Sequence, residues 1–137
     1  MGLFSGTRPD NLGVREGRLA PPKGTPNNVH SQIDKGADPG HYIAPLSYGG
    51  DAAAAWDKLR GIVGGMPRAK VVKSGPDYLY AEFSSRLMGY VDDVEFYLDA
   101  KAGVIHARSS SRLGIRDFGV NRERVEAIRA MLAQAKA

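Results

Sequence analysis

A tract rich in arginine and serine connects a predicted strand to the last predicted helix of this 137-residue chain. Residues 108–124 contain five arginines, three serines and two glycines. Guanidinium groups, hydroxyls and the unpaired amide groups of a helix start are the groups that bind phosphates and carboxylates. The sequence therefore predicts an anion site at this junction. Its expected ligands are Arg86, Arg108, Ser110, Arg112, Arg116, Asn121 and Arg122.

An acidic stretch before this tract offers a second interpretation. Residues 77–99 carry six acids and one base. Opposite charges on neighbouring strands pair across a sheet. On this interpretation Arg108 and Arg112 have carboxylate partners within the protein, and the tract is a structural junction that needs no ligand. The carboxylates would be those of Glu82 and Glu95.

A second group of side chains shares one face of the predicted sheet. Its members are Tyr80, Glu82, Glu95, Tyr97 and His106. If enclosed, a histidine beside a glutamate could act as a general acid or base. The same residue types are typical of a solvated sheet face. We therefore favour an exposed surface, or a surface for a protein partner, over an enzyme site.

Several kinds of site are excluded by residue types and spacing. The sequence contains no cysteine, which excludes disulfides and thiolate metal ligands. The three histidines, His30, His41 and His106, lack the spacing of a metal site. The sequence contains no serine-nucleophile elbow, phosphate loop or dinucleotide-binding motif. It thus predicts no metal and no cofactor, and it favours a binding module or a structural domain over an enzyme.

Composition and charge narrow the expected partners. The net charge of +4 is too small to indicate nucleic-acid binding without a basic patch that also carries aromatic residues. No apolar run reaches the roughly 18 residues of a membrane span. The first residues do not form a secretory signal, and Gly6 stands where myristoylation of Gly2 would require serine or threonine. We expect a cytoplasmic protein that binds a small anion or a protein partner, without nucleic acid or membrane.

The elements that position these residues are expected after residue 50. Residues 1–50 hold nine of the 17 glycines and six of the eight prolines, which predicts an irregular N-terminal arm. Apolar anchors such as Leu12, Leu19 and Val29 favour an arm that lies across the protein over a disordered tail. Residues 51–137 are expected to form the compact domain.

Periodicity predicts the order helix, strands, helix in that domain. Asp51 is expected to cap the first helix, which Gly64 and Gly65 end. Alternating apolar residues predict strands over residues 69–73, 78–85, 93–99 and 104–110. Strands with one apolar face are typical of an antiparallel sheet covered on one side.

The last predicted helix completes the fold class. It runs from about Arg122 to Lys136, with Asn121 as its N-cap. Val120 and Val125 have the spacing of a hydrophobic staple. The sequence predicts an α+β fold of two layers, in which two helices pack on an antiparallel sheet of three to four strands.

Motifs spread over most of the chain resemble those of a known family. They comprise residues 11–14, 41–46, 78–86, 91–96 and 108–125. They are similar to a bacterial and plastid domain of unknown function, the one numbered fourteen ninety-nine. The resemblance implies a family without an established activity, and so it implies no catalytic residues.

One departure from that family lies in the arm. Such proteins usually carry a segment of the form C-P-x-x-P-N-C-V-S-S. In this chain Pro22 and Asn28 stand where the cysteines are expected. The resemblance therefore implies that any disulfide, redox or metal role of that pair is lost here.

Overall fold

The computed structural model describes residues 4–134, which form eight strands and two helices. The strands are β1 Val14–Arg15, β2 Arg18–Leu19, β3 Asn28–His30, β4 Leu46–Ser47, β5 Ala69–Ser74, β6 Tyr78–Ser84, β7 Val91–Asp99 and β8 Val104–Ser111. The helices are α1 Ala52–Gly64 and α2 Val120–Gln134. The expectations for Gly2 and for a helix end at Lys136 fall outside the described residues.

Six strands form one antiparallel sheet, which confirms the predicted α+β class. Their order is β3-β8-β7-β6-β5, and β4 also pairs with β8. β1 and β2 form a separate two-stranded sheet. The expected number of three to four strands is too low, because β3 and β4 come from residues 1–50. These two strands are too short to produce an alternating pattern in the sequence.

Both helices pack on one face of the sheet and enclose the main core. The Asp51 carboxylate accepts a hydrogen bond from the Ala54 amide at 3.0 Å, which confirms the predicted cap of α1. Trp56 is buried in this core and donates from its indole nitrogen to the Gly75 carbonyl at 2.8 Å. Within residues 4–134, neither helix is long and apolar enough to cross a membrane.

The opposite face of the sheet is covered by the N-terminal segment. Leu12, Val14 and Leu19 pack against the rings of Tyr78, Tyr80 and Tyr97. As a result Tyr80 is only 3% exposed and Glu95 is 0% exposed. The expectation of an exposed face is wrong, because the tyrosine rings offer an apolar surface that aliphatic side chains of the arm remove from water.

His30 holds the arm to the edge of the sheet. The Gln32 amide donates to His30 Nδ1 at 2.9 Å, so Nδ1 is the unprotonated nitrogen and Nε2 donates to the Ala20 carbonyl at 2.7 Å. Burial of the ring, together with the nearby charge of Arg108, lowers the pKa of His30 to about 4. The folded protein therefore holds His30 as a neutral imidazole.

This neutral histidine makes stability depend on pH. A histidine with a lowered pKa stabilises the fold above its unfolded pKa of 6.5, and that stabilisation is lost as the pH falls towards 4. We expect the free energy of unfolding to drop by about 3 kcal/mol over this range because of His30. Urea unfolding at several pH values should show that the free energy of unfolding of His30→Gln declines less steeply with falling pH than that of the wild type.

His41 provides a matched control for that experiment. Hydrogen bonds to the Thr25 carbonyl and to Asp38 raise the pKa of His41, so its contribution is lost as the pH rises. The free energy of unfolding of His41→Gln should therefore still decline as the pH falls from 6.5 towards 4. Equal pH slopes for the wild type and His30→Gln would contradict the assignment.

Candidate functional site

The structure divides the predicted anion ligands among separate places. Arg108, Ser110 and Arg112 lie together on the face of the sheet that the arm covers, and they line one cavity. Arg86 and Arg116 are exposed in the β6–β7 and β8–α2 loops. The seven residues therefore do not converge on the start of α2.

The two remaining predicted ligands have partners within the protein. The Arg122 guanidinium donates to the Gly40 carbonyl at 3.1 Å, away from the sheet face. Asn121 is buried and fully occupied by hydrogen bonds. The Asn121 side chain is thus not available to a ligand at the junction, and Arg122 is bonded to the arm.

The start of α2 is closed by an acidic side chain. The Asp117 carboxylate accepts hydrogen bonds from the amides of Gly119 and Asn121, both at 3.0 Å. The helix begins at Val120, so the expectation that Asn121 is the N-cap is wrong. The chain enters the helix earlier because Gly119 has a positive φ of 82°. Val120 is exposed, and the predicted staple with the buried Val125 is therefore not formed.

Asn121 instead joins three parts of the fold. Its Nδ2 lies 3.1 Å from the Asn27 carbonyl in the arm and 2.9 Å from the Ser111 hydroxyl at the end of β8. Its Oδ1 accepts from Ser109 Oγ at 2.6 Å and from Arg124 Nη1 at 3.0 Å. This side chain is structural, and the sequence could not distinguish that role from a cap.

On the covered face, Arg108 is paired with a buried carboxylate. Arg108 Nη1 lies 2.8 Å from Glu95 Oε1, and the two side chains are 4% and 0% exposed. Glu95 Oε2 also accepts from the Tyr78 hydroxyl at 2.5 Å and from the Gly13 amide at 2.8 Å. The Gly13 contact brings the arm into the network, and it has no signal in the sequence.

Arg112 is paired with two further carboxylates. Its guanidinium lies 2.9 Å from Asp93 and 2.5 Å from Glu82. The Tyr80 hydroxyl lies 2.5 Å from the same Asp93, to which it donates its one proton, and 3.0 Å from Glu82. The expectation that Arg108 and Arg112 pair with Glu82 and Glu95 across the sheet is therefore met, and the structure assigns Glu95 to Arg108 and Glu82 to Arg112. Asp93 is a member that the sequence analysis did not single out, although it alternates onto the same face.

The charges of this cluster shift the proton equilibria of its members. Burial raises the pKa of Glu82, but hydrogen bonds from Arg8, Arg112 and Tyr80 outweigh it and bring the pKa down to about 2. Hydrogen bonding to Asp93 raises the pKa of Arg112, and burial raises the pKa of the Tyr80 phenol. The carboxylate of Glu82 is thus ionised and the phenol of Tyr80 protonated at neutral pH.

A cavity of about 260 Å³ lies between this cluster and the arm. Arg108 lines it, and Arg108 Nε is the one buried side-chain nitrogen or oxygen within residues 4–134 that lacks a hydrogen-bond partner. Lys23 lines it from the arm and donates to the Ser111 carbonyl. Burial and repulsion by Arg108 lower the pKa of Lys23. The full lining is Thr7, Pro9, Asp10, Asn11, Lys23, Asp93, Arg108, Ser110, Ser111 and Arg112.

Lys23 is held in place by the loop that departs from the family motif. Asn28 is buried, and its side chain accepts from the Lys23 amide at 3.2 Å and donates to the Thr25 carbonyl at 2.7 Å. Hydrogen bonds therefore close this loop at a position where the resemblance implies cysteine. Sequence reasoning missed Lys23, because a single lysine far along the chain from Arg108 carries no distinguishing pattern.

His106 is not brought together with either glutamate. Its Nδ1 lies 3.1 Å from Ser31 Oγ, and its Nε2 lies 3.8 Å from Asp99. Ser31 Oγ also accepts from the Ala107 amide at 2.9 Å, and Ser31 is buried. The ring stacks on Tyr97 with 6.2 Å between centroids. This arrangement ties β3 to β8 and does not form the expected His–Glu pair.

No group of three or more histidine, aspartate or glutamate side chains within residues 4–134 is arranged to hold a metal ion. The carboxylates of the covered face are instead bonded to arginine and tyrosine. Their oxygens are thus occupied by donors from neighbouring strands and from Arg8 in the arm. The chemistry available on this face is that of hydrogen-bond donation and positive charge, supplied by Lys23 and Arg108.

The Asn121 network yields a prediction about stability. Asn121→Ala removes hydrogen bonds to the arm, β8 and α2 and leaves several buried groups unpaired. We expect a loss of about 2–4 kcal/mol in the free energy of unfolding. Urea unfolding of this variant should be compared with Asn11→Ala, since Asn11 is exposed and offers only its backbone carbonyl to Arg15. A loss below about 1 kcal/mol would contradict the structural role.

Comparison with known proteins places this architecture in a family. No curated protein and no solved structure matches the chain. The DUF1499 family, described as a protein of unknown function, matches residues 18–132. That range contains β2 to β8, both helices up to Leu132 and all of the arginine–serine tract. Because the match extends over well more than half of its length, the chain belongs to the DUF1499 family.

Proposed function

We propose that this domain binds a small phosphate or carboxylate ligand in the cavity between the arm and the sheet. The observation that carries the proposal is Arg108 Nε, a buried guanidinium N–H without a partner. Leaving such a group unsatisfied costs about 1–3 kcal/mol, and folded proteins rarely accept that cost without a reason. On this proposal the Arg108 side chain, which lines the cavity, turns its shielded Nε–H towards an anion oxygen bound there.

The charges around the cavity support the same ligand class. The Lys23 ammonium has no carboxylate partner within 4.0 Å in the described part of the chain, and repulsion by Arg108 contributes to its lowered pKa. A bound anion would relieve that repulsion and raise the pKa of Lys23. Ser110 lines the same space and adds a hydroxyl donor.

Asp10 and Asp93 line the cavity without cancelling this preference, and Asp10 is exposed, so that water screens its charge. Asp93 is already neutralised by Arg112 and hydrogen-bonded by Tyr80. The negative charge of Glu95 is likewise shared by Arg108, Tyr78 and the Gly13 amide. The volume of about 260 Å³ suits a ligand of a few heavy atoms, such as a phosphate or a short dicarboxylate.

Titration with inorganic phosphate and with succinate tests this proposal. We expect isothermal calorimetry to detect binding of at least one of them. Lys23→Gln should weaken that binding by roughly tenfold or more, because it removes a charge-assisted hydrogen bond. Arg108→Lys, which keeps the charge opposite Glu95 but removes Nε–H, should also weaken it.

Arg86→Gln is the matched control, since Arg86 is an exposed cation outside the cavity. The affinity of the Arg86→Gln variant for the anion should stay within about twofold of the wild-type affinity. If neither anion binds, or if Lys23→Gln binds as tightly as the wild type, the proposal is overturned. The ion pairs of the covered face would then have only their structural role.

A further inference from the structure

Two loops at one end of the molecule carry exposed apolar side chains. Leu87 is 90% exposed, Phe118 is 92% exposed and Ile115 is 63% exposed. Met88 and Leu113 are exposed beside them. We define these five residues as the apolar tip. Large exposed apolar patches on a folded domain are typical of an interaction surface.

The two loops form one surface. The β6–β7 loop and the β8–α2 loop together line a cavity of about 340 Å³, with Tyr90 on one side and Leu113 and Phe118 on the other. Phe4 stacks on Tyr90 with 5.0 Å between ring centroids. This cavity therefore connects the two loops that carry the apolar tip.

The backbone holds Phe118 in an unfavourable conformation. Its φ is 54°, in the left-handed region that residues other than glycine and asparagine rarely adopt. Packing in the core does not compensate for this strain, because the Phe118 ring lies almost entirely in water. Strain combined with exposure of an aromatic ring indicates a contact outside the domain.

The charges beside the apolar tip indicate the kind of partner. Arg86 precedes Leu87, and Arg116 follows Ile115; the next residue, Asp117, accepts hydrogen bonds from Gly119 and Asn121 at the start of α2. Both arginines are exposed, and neither forms an ion pair in the part of the chain that the structure describes. A symmetric pair of copies would bring these like charges together, which disfavours a second copy of this chain.

We propose that the apolar tip docks on the surface of an anionic lipid bilayer. Leu87, Ile115 and Phe118 would enter the boundary between headgroups and acyl chains. Arg86 and Arg116 would bind the phosphate and carboxylate groups of the headgroups. Such docking needs no spanning helix, and it uses none of the ligand-binding side chains assigned to the anion cavity. It goes beyond the proposed function and can fail independently of it.

Cosedimentation with lipid vesicles tests the docking. We expect the full chain to bind vesicles of phosphatidylcholine mixed with phosphatidylserine, and to bind phosphatidylcholine alone at least tenfold more weakly. Raising the salt concentration should weaken the binding. Arg86→Gln/Arg116→Gln should reduce it by about fivefold for each arginine. Leu87→Ser/Phe118→Ser should reduce it at least tenfold.

Val71→Ser/Val72→Ser is the matched control, because these valines are exposed apolar residues of β5 outside the apolar tip. This variant should bind vesicles as the wild type does. Urea unfolding should show that all three double variants remain folded, since every substituted side chain is exposed.

Three results would overturn the proposal. The first is no sedimentation of the wild type with the anionic vesicles at low salt. The second is unchanged binding by Leu87→Ser/Phe118→Ser. The third is a wild type that is dimeric by analytical ultracentrifugation and binds no vesicles, while Leu87→Ser/Phe118→Ser is monomeric. That last result would assign the apolar tip to self-association.

Discussion

The buried carboxylate of Glu95 joins the arm to the sheet, and much of the structure depends on how it is satisfied. It lies 2.8 Å from the Arg108 guanidinium and accepts from the Tyr78 hydroxyl and the Gly13 amide. A buried charge is tolerated only when such partners compensate for its lost hydration. The Gly13 amide belongs to the arm. The arm therefore completes the hydrogen bonding of the Glu95 carboxylate, which the sheet alone would leave partly exposed to water.

This constraint explains why positive charge remains available beneath the arm. Arg108 faces Glu95 through Nη1, which leaves its Nε without a partner, and the arm then places Lys23 at the same cavity. Arg112 forms ion pairs with Asp93 and Glu82. Within the arginine–serine tract, Arg108 and Arg112 thus hold neighbouring strands together, and both also line the cavity. The exposed Arg116 of the same tract lies beside the apolar tip.

The fold was largely predictable, because it follows from local patterns. The four longer strands and α1 with its Asp51 cap all have the expected periodicity. β3 and β4 were not predictable, because two or three residues show no period and their pairing with β8 is long-range. The cap of α2 was misassigned for a similar reason. Asp117 and Asn121 are both good capping residues, and the φ of Gly119 decides between them.

The sequence by itself determined the α+β class, the family, the alternation of acidic and basic side chains on one sheet face, and the expectation that Arg108 and Arg112 pair with Glu82 and Glu95. These features depend on residues close in the chain or on adjacent strands, where spacing dictates position. Only the tertiary structure decided that the arm buries this face and that Lys23 and Arg108 line the same cavity. It also decided that Arg86 and Arg116 lie in exposed loops beside the apolar tip. Those outcomes depend on how an irregular segment crosses the sheet, and no periodic pattern encodes that path.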